Sequence, residues 1–311
     1  MRAVVLLSTH NGSAFLEQQL QSIIDQDHRD LKLMVRDDGS TDTTTEILKA
    51  FANDPRIHLI IGSRLGLPHA YFELIRTAPD DAEAYFFCDQ DDVWHYDKVS
   101  TALHQLAKLP RTRPALYCSR LNLCTHDLKS IGLSPDWQRS AAFGNALVEN
   151  ICTGCTAAFN RTTLDYLRMA KSTSGIIYHD WWLYLIASAF GEVTFDRTPH
   201  IEYRMHAANS VGLPQNLLAT YRRRIGRAGP TRRFTILLQQ AQAFAHAYGN
   251  VLTTDNRKIL DRMLSLSNSS KAAFPLISDP EIHRQKTSDD LIWRLGLFLY
   301  GVGMIRSSAV I

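Results

Sequence analysis

The sequence lacks the glycine fingerprints of the commonest nucleotide-binding enzymes. It contains neither a G-x-G-x-x-G turn nor a G-x-x-x-x-G-K-[ST] loop. The first motif holds the pyrophosphate of a dinucleotide, and the second holds the phosphates of a nucleoside triphosphate. Their absence argues against a dinucleotide-dependent oxidoreductase and against a P-loop hydrolase.

Cysteine is scarce, and its number is odd. Five cysteines do not form the disulfide framework of a small secreted protein, and no signal peptide precedes the first apolar run. We therefore expect a reducing, cytoplasmic setting. Cys152 and Cys155 form a C-x-x-C, but no second ligand pair with zinc-like spacing accompanies it, so burial is the preferred interpretation.

Charge is nearly balanced over the whole chain but unevenly distributed. The 311 residues carry a formal net charge of +3. Residues 213–311 contain 14 Lys and Arg against 6 Asp and Glu, which leaves a net charge of −5 for residues 1–212. Six arginines lie between Arg222 and Arg233. Such a cluster favours an anionic surface, either phospholipid headgroups or nucleic acid.

Apolar runs and helical spacing alternate over the first 90 residues. Ala3–Leu7 predicts a buried strand, and Phe15 to Ile24 show helical spacing. Leu31–Val35 and Ile57–Ile61 predict further strands with helices between them. Ala84–Phe87 predicts the next strand. The pattern predicts an α/β fold with a Rossmann-like, mostly parallel sheet covered by helices on both faces.

Three polar segments follow strands of this predicted sheet. They are STHNG at residues 8–12, RDDGSTD at 36–42 and CDQDDVW at 88–94. Ligands bind at the carboxyl ends of parallel strands, so the three segments should converge on one cleft. Clustered carboxylates are costly to bury unless water or a cation offsets their charge. Asp89, Asp91 and Asp92 therefore suggest a divalent cation, although each short motif alone is compatible with a solvated turn.

The order of these motifs resembles family 2 glycosyltransferases of the GT-A fold, and most closely the bacterial rhamnosyltransferase-like branch. The motifs NICTGCTAAFNR, YHDWW and YRMHAANSVG continue the series, and the resemblance covers roughly residues 1–212. It implies an inverting, metal-dependent hexosyltransferase that uses a nucleotide-diphosphate sugar. L-rhamnose from dTDP-L-rhamnose is the favoured donor, and a glycan or lipid-linked molecule of a bacterial surface polysaccharide such as an O-antigen is the acceptor.

The resemblance also implies roles for individual residues around the donor. Thr9 would lie along the nucleoside and Asp38 against the base, while Gly154 and Cys155 would line the donor sugar. Core packing is nearly as good an explanation for Gly154 and Cys155. Asp89 is expected to contribute to the donor site and to the cation site.

Further roles concern the cation and the reaction itself. Asp91 and Asp89 would hold Mg²⁺ or Mn²⁺, with His206 near the cation or the diphosphate. Asp180 matches the position of the general base, although His179 stands where a Glu is commoner. Of the neighbouring tryptophans Trp181 and Trp182, at most one should face the cleft, because adjacent helical residues point in different directions.

The C-terminal region predicts a separate helical appendage. Strands give way to helical spacing beyond Gly212, so we expect a GT-A domain at 1–212 and a basic helical region at 213–311. The run Leu295–Ile305 is shorter than the roughly 20 apolar residues that cross a bilayer. It suggests either peripheral binding to the anionic inner face of the cytoplasmic membrane or packing on protein, including a second subunit. No nucleic-acid partner is expected.

Two other functions fit parts of the pattern. A non-catalytic protein that binds anionic surfaces would explain the basic region, but it would need neither paired acidic strand ends nor a candidate base. A sugar nucleotidyltransferase would be expected to carry a glycine-rich basic loop after the first strand, and STHNG contains no Lys or Arg.

Overall fold

The structure is a computed structural model that describes residues 1–206 and 230–305, with backbone alone for 230–233. The predicted domain boundary at 212, Asn209 and the side chains of the Arg222–Arg233 cluster lie outside the described residues. The chain forms two compact units. Unit 1 comprises Met1–Asp136, Cys152–Thr173 and Tyr178–His206. Unit 2 comprises Trp137–Ile151, Ser174–Ile177 and the described residues after His206, so two short segments assigned by sequence to the first domain belong to unit 2.

Unit 1 is built on a seven-stranded sheet and a four-stranded sheet. The strands are β1 (Ala3–Thr9), β2 (Leu31–Asp38), β3 (Ile57–Gly62), β4 (Ala84–Cys88), β5 (Val93–Trp94), β6 (Ala115–Ser119), β7 (Asn122–Cys124), β8 (Ser130–Leu133), β9 (Ala158–Asn160), β10 (Glu192–Asp196) and β11 (Ile201–Arg204). The large sheet has the order β10-β6-β9-β4-β1-β2-β3, and the small sheet has the order β5-β11-β7-β8.

The large sheet is parallel except for β9, which runs antiparallel to β4 and β6. In β1 both sets of alternating side chains are buried: Val5 and Leu7 on one face, Val4 and Leu6 on the other. A strand buried on both faces requires helices on both sides of the sheet. The predicted mostly parallel α/β architecture is therefore confirmed.

The helices follow the spacing of the apolar residues. Those of unit 1 are α1 (Leu16–Ile24), α2 (Thr44–Phe51), α3 (His69–Thr77), α4 (Lys98–Leu106), α6 (Arg161–Met169) and α7 (His179–Phe190). Those described in unit 2 are α5 (Phe143–Ala146), α8 (Pro230–Tyr248), α9 (Thr254–Leu264), α10 (Ala273–Leu276) and α11 (Thr287–Gly301). Single 3₁₀ turns occur at Gly154–Thr156, Gly249–Val251, Ser265–Ser267 and Ser270–Ala272.

Two strands extend further than their apolar runs predicted. β1 continues through Thr9, and β2 continues through Asp38. Parallel pairing of Thr9 with Asp37, and of Asp38 with Gly62, carries the ladder past the last apolar residue. The first polar residues of the two segments therefore sit on rigid strand ends, which fixes their positions better than a loop would.

Unit 2 is a helical bundle with an aromatic core. Phe234 of α8 stacks on Trp293 and Tyr300 of α11, with ring centroids 5.2 Å and 5.1 Å apart. Phe143 of α5 packs against Phe244 of α8 at 5.4 Å. The predicted helical character of the C-terminal region is confirmed for these residues. Within the described ranges, no helix is both long and apolar enough to cross a bilayer.

Candidate active site

Hydrogen bonds join the three polar segments at the carboxyl edge of the large sheet. Gln90, after β4, accepts hydrogen bonds through Oε1 from Thr9 Oγ1 at 2.7 Å and from the His10 amide at 2.8 Å. The Asn11 amide donates to Ser40 Oγ at 2.9 Å, which joins the loop after β1 to the loop after β2. The expected convergence of the three segments is therefore present.

Both carboxylate oxygens of Asp38 accept hydrogen bonds from backbone amides of the protein. It accepts hydrogen bonds from the amides of Leu65 at 2.8 Å and Gly66 at 2.7 Å, and it forms a buried ion pair with Arg36. Burial alone would raise the pKa of Asp38, but these donors outweigh it and hold the pKa below its ordinary range. An ionised Asp38 thus fixes the loop after β3 beside the end of β2.

Asp89 lies half-buried among other carboxylates. Burial raises the pKa of Asp89 to about 7, and the charges of Asp91 and Asp180 add to the effect. Tyr71 of α3 opposes the shift, because its hydroxyl donates to Asp89 Oδ1 at 2.9 Å. The same hydroxyl lies 2.7 Å from the Cys88 carbonyl oxygen. Asp89 is therefore held by one neutral donor in a site with excess negative charge.

Asp92 is fully buried beneath the acidic turn. Its Oδ1 accepts a hydrogen bond from the Arg204 amide at 3.2 Å, whereas no nitrogen or oxygen donor among the described residues reaches Oδ2. Burial and the neighbouring Asp91 and Asp89 raise its pKa well above the ordinary value. Carboxylate oxygens of Asp89 and Asp92 and the thiol of Cys155 lie within 4.8 Å of one another.

Asp91 faces His206, which the sequence had suggested near the cation. His206 Nε2 lies 2.8 Å from Asp91 Oδ2, and the His206 ring packs against Phe15 with centroids 5.0 Å apart. The guanidinium of Arg204 donates from Nε to the Asp91 carbonyl at 2.9 Å. Its charge also lies 4.5 Å from the Phe15 ring centroid. Arg204 and His206 thus hold the DQDD turn on β11.

Asp180 occupies the first turn of α7, where the exposed amides of a helix favour an anion. Its Oδ1 accepts from the Trp181 amide at 2.7 Å, and its Oδ2 accepts from the Gly154 amide at 3.1 Å. A Cβ on Gly154 would lie 3.0 Å from His179 Nε2. Glycine is therefore needed for this close approach of the TGC turn to α7, and the turn in return orients Asp180.

His179 is a core residue. Its ring stacks on Tyr71 at 3.7 Å and meets the edge of Phe87 at 4.8 Å. Burial lowers the pKa of His179 to about 3, so the ring is neutral. Trp182 is also buried, whereas Trp181 is partly exposed, in agreement with the expectation that at most one tryptophan faces the cleft.

The acidic residues fit a bound divalent cation. Three carboxylates follow one strand end, and Asp92 has a buried Oδ2 that no nitrogen or oxygen donor among the described residues reaches, while the Cys155 thiol hydrogen-bonds to the Asp92 carboxyl. Hard cations such as Mg²⁺ and Mn²⁺ bind through oxygen ligands, whereas a thiol is a soft ligand. Asp89 and Asp92 are placed to hold such an ion, with the Cys155 thiol within 4.8 Å of their oxygens, whereas Asp91 is not part of this group and faces His206.

Three further residues shape the site and were not predicted from the sequence. Tyr71 connects Asp89 to His179, Gln90 connects two loops, and Lys98 is buried with its ammonium 4.8 Å from the Trp94 ring centroid. Gln90 lies within the acidic CDQDDVW motif, so its position in that motif could have indicated a role in the site. Tyr71 and Lys98 lie in ordinary helical patterns that contain no such signal.

A parallel sheet with acidic strand ends at one edge, and a further carboxylate presented by a separate helix, defines a nucleotide-sugar transferase of the GT-A type. The chain belongs to glycosyl transferase family 2, whose family model matches residues 4–167. It is therefore a nucleotide-sugar-dependent glycosyltransferase.

Two curated relatives are informative. A dTDP-rhamnosyl transferase, RfbG of Shigella flexneri, is 29% identical over 228 residues, covering 70% of this chain and 77% of the relative. A teichuronic acid biosynthesis glycosyltransferase described as putative, TuaG of Bacillus subtilis, is 31% identical over 101 residues, covering 32% of this chain and 39% of the relative.

Solved structures support the fold. The crystal structure of S. aureus TarS 1–349 in complex with UDP-GlcNAc has a TM-score of 0.58 and 15% identity, covering 97% of this chain and 82% of that chain. A second structure of TarS 1–349 gives a TM-score of 0.59 at the same identity and covers 97% of this chain and 81% of that one.

Proposed function

We propose that this enzyme transfers L-rhamnose from dTDP-L-rhamnose to a glycan or lipid-linked acceptor during synthesis of a bacterial surface polysaccharide. The Shigella flexneri relative supports the donor, since the alignment with it extends over most of both chains. The name of the Bacillus subtilis relative supports a cell-surface polymer as the product.

The donor would lie along the carboxyl edge of the large sheet. Thr9 and Asp38 stand at the ends of β1 and β2, where they would border the nucleoside. Asp89, Gly154 and Cys155 would line the region between the diphosphate and the sugar. Gly154 and Cys155 belong to the 3₁₀ turn that supports Asp180, so the sugar would bind next to the candidate base.

The cation would be held by Asp91 and Asp89, the pair expected from the sequence, with Asp92 buried next to Asp89 and His206 against Asp91. A bound Mg²⁺ or Mn²⁺ supplies Lewis-acid stabilisation of the departing nucleoside diphosphate. The protein contributes the fixed positions of the carboxylates. Tyr71 orients Asp89, and Arg204 and His206 orient the turn that carries Asp91.

Asp180 is the proposed general base of an inverting reaction. Its carboxylate would accept the proton of the acceptor hydroxyl as that oxygen attacks the anomeric carbon opposite the leaving nucleotide. The observation that carries the proposal is the position of Asp180. It lies in the first turn of a helix, oriented by two backbone amides, and close enough to Asp89 for its charge to contribute to the raised pKa there.

A donor screen tests this assignment. The purified chain is incubated with dTDP-L-rhamnose and with UDP- and GDP-sugars in the presence of Mn²⁺ or Mg²⁺, and donor hydrolysis is measured. We expect turnover with dTDP-L-rhamnose that EDTA abolishes. Turnover of a UDP- or GDP-sugar alone would refute the donor, and unchanged turnover in EDTA would refute the cation.

The proposed acceptor also implies a location. A lipid-linked acceptor is confined to a membrane, so we propose that the enzyme works in the cytoplasm, bound peripherally to the inner face of the cytoplasmic membrane.

A further inference from the structure

The last described helix, α11, has an unusual distribution of polar and apolar side chains. Its two acidic residues, Asp289 and Asp290, point inward and are each 7% exposed. Asp290 accepts hydrogen bonds from the Arg284 amide at 2.8 Å and from Arg294 Nε at 2.9 Å. The charges of Asp290 and Arg294 are therefore paired within unit 2.

The outward face of the same helix is apolar. Every exposed residue from 291 to 304 is apolar or glycine. The exposed fraction reaches 63% for Leu291, 58% for Leu295 and 77% for Met304. The exposed apolar side chains are Leu291, Ile292, Leu295 and Phe298 of α11 and Val302 and Met304 just after its end, and Phe274 of α10 adjoins them with its ring 6.5 Å from that of Phe298. We call these seven residues the α11 face.

A helix that turns its acids inward and its apolar residues outward is suited to a surface that excludes water. Contiguous exposed apolar patches mark interaction sites on soluble proteins. With 15 residues, α11 spans about 22 Å at 1.5 Å per residue, which is shorter than the roughly 30 Å of a bilayer core. It could therefore lie in the plane of a membrane interface but could not cross the membrane.

Charge decides between a membrane and a protein partner. The sequence after residue 212 carries a net charge of +8, with six arginines between Arg222 and Arg233 and one more at Arg306 directly after the α11 face. Basic residues beside an apolar helical face are typical of interfacial helices that bind anionic lipid. The seven residues of the face are also few beside the roughly 20–30 residues that each partner contributes to a stable protein interface.

We propose that the α11 face is the membrane-binding surface of this enzyme and that it inserts into the interface of an anionic bilayer. This inference rests on the proposed function, because a lipid-linked acceptor supplies the reason for membrane binding. The α11 face contributes the apolar contact, and the basic composition of the sequence after residue 212 contributes the preference for anionic lipid.

Vesicle sedimentation with the full chain tests the proposal without donor or acceptor. Vesicles of phosphatidylcholine with phosphatidylglycerol are compared with phosphatidylcholine alone. The test variant is Leu295→Ser with Phe298→Ser, which removes two exposed apolar side chains without adding charge. The matched control is Ile131→Ser with Leu133→Ser on β8 of unit 1, where the side chains are 54% and 46% exposed. Thermal unfolding and dTDP binding establish that both variants are folded.

We expect the wild type to bind the anionic vesicles and to bind the neutral ones weakly. The α11 variant should bind the anionic vesicles about tenfold more weakly or worse, because the lost apolar area drives interfacial insertion, and the control should bind like the wild type.

Equal binding by the two variants, or no binding by the wild type, would overturn the proposal. Conversion of a wild-type dimer to a monomer by the α11 substitutions, without vesicle binding, would assign the face to a second copy instead. Donor hydrolysis in solution is measured separately, so failure of the membrane proposal is distinguishable from failure of the proposed function.

Discussion

At the residue scale, Tyr71 illustrates how one buried side chain connects two parts of the site. Its hydroxyl donates toward Asp89, while its ring stacks on His179, the residue before the candidate base. The hydroxyl counteracts burial and the Asp91 charge, the two largest causes of the raised pKa of Asp89. Tyr71 therefore positions one of the proposed cation ligands and also packs against the start of α7.

Replacing Tyr71 with phenylalanine should separate these two roles. Tyr71→Phe removes the hydrogen bond but keeps the stacked ring, so the fold should survive. Without this donor the pKa of Asp89 rises further, so protons compete better for the carboxylate and affinity for Mn²⁺ in the presence of dTDP should fall about tenfold. Isothermal titration calorimetry measures this Mn²⁺ affinity. Tyr85→Phe is the control, because Tyr85 is a buried tyrosine whose hydroxyl donates to Pro79 and Ala82 carbonyls and not to a carboxylate. Equal Mn²⁺ affinity in the two variants would contradict the positioning role.

His179 predicts a specific pH dependence of stability. Burial lowers the pKa of His179 to about 3 in the folded protein, against about 6.5 in the unfolded chain. The unfolded state therefore binds more protons between these values, and the free energy of unfolding falls as the pH drops below 6.5. The loss from this one group between pH 7 and pH 5 should be about 2 kcal/mol.

His179→Phe should remove that part of the pH dependence, since phenylalanine can stack on Tyr71 but cannot be protonated. Urea unfolding at pH 7 and pH 5 measures the difference between the two pH values. His104→Gln, an exposed position on α4, serves as the control. If His179→Phe loses as much stability as the wild type between pH 7 and pH 5, His179 is not held neutral by burial.

At the element scale, the junction between the TGC turn and α7 determines where the candidate base stands. Gly154 is buried, and its amide donates to Asp180. An added Cβ would lie 3.0 Å from the stacked ring of His179 and 3.4 Å from Asp180 Cβ. The ring cannot yield easily, because Tyr71 and Phe87 pack against it.

Gly154→Ala should therefore displace the start of α7 by a few tenths of an ångström. We expect a modest loss of stability, about 1 kcal/mol, but a larger loss of transfer rate, about tenfold or more, because catalytic geometry tolerates little displacement. Thermal unfolding and a transfer assay on the same sample measure the two effects. Loss of stability without loss of rate would show that α7 does not position the base.

The elements of the fold were more predictable from sequence than the contacts of the site. The run Ala84–Phe87 and the helical spacing after Phe15 were sufficient, because both faces of β4 are buried and one face of α1 packs in the same core as Ala84 and Phe86. The convergence of the polar segments followed from the parallel sheet. The two extended strand ends were missed, because their last residues are polar and are held by ladder pairing that apolar spacing does not record.

The contacts of the site depend on pairs far apart in sequence. The sequence indicated Asp91 and His206 through separate motifs, and the structure places their side chains 2.8 Å apart. Nothing in the helical pattern around Tyr71 reveals that its hydroxyl reaches Asp89. The burial of Asp92 was equally hidden, since a DQDD turn is compatible with a solvated surface.

At the scale of the whole molecule, the uneven charge distribution acquires a structural meaning. The acidic first part of the chain carries its carboxylates at the edge of the large sheet, and the basic last part carries the apolar α11 face. The first feature suits a cation with a nucleoside diphosphate, and the second suits an anionic membrane. The proposed cation site and the proposed membrane contact each agree with the net charge of the part of the sequence in which they lie, which is negative for residues 1–212 and positive for residues 213–311.

In the proposed reaction, separate carboxylates hold the donor and activate the acceptor. Asp91→Asn should weaken binding of dTDP with Mn²⁺, because the cation loses a ligand, whereas Asp180→Asn should leave that binding intact. Asp180→Asn should nevertheless reduce transfer by roughly 10²-fold or more, since an amide cannot accept the acceptor proton.

The decisive measurement is calorimetry of dTDP and Mn²⁺ binding to both variants, run beside a transfer assay on the same preparations. We expect weakened binding for Asp91→Asn alone and lost transfer for both variants. Near wild-type transfer by Asp180→Asn, or equal loss of nucleotide binding in the two variants, would contradict it.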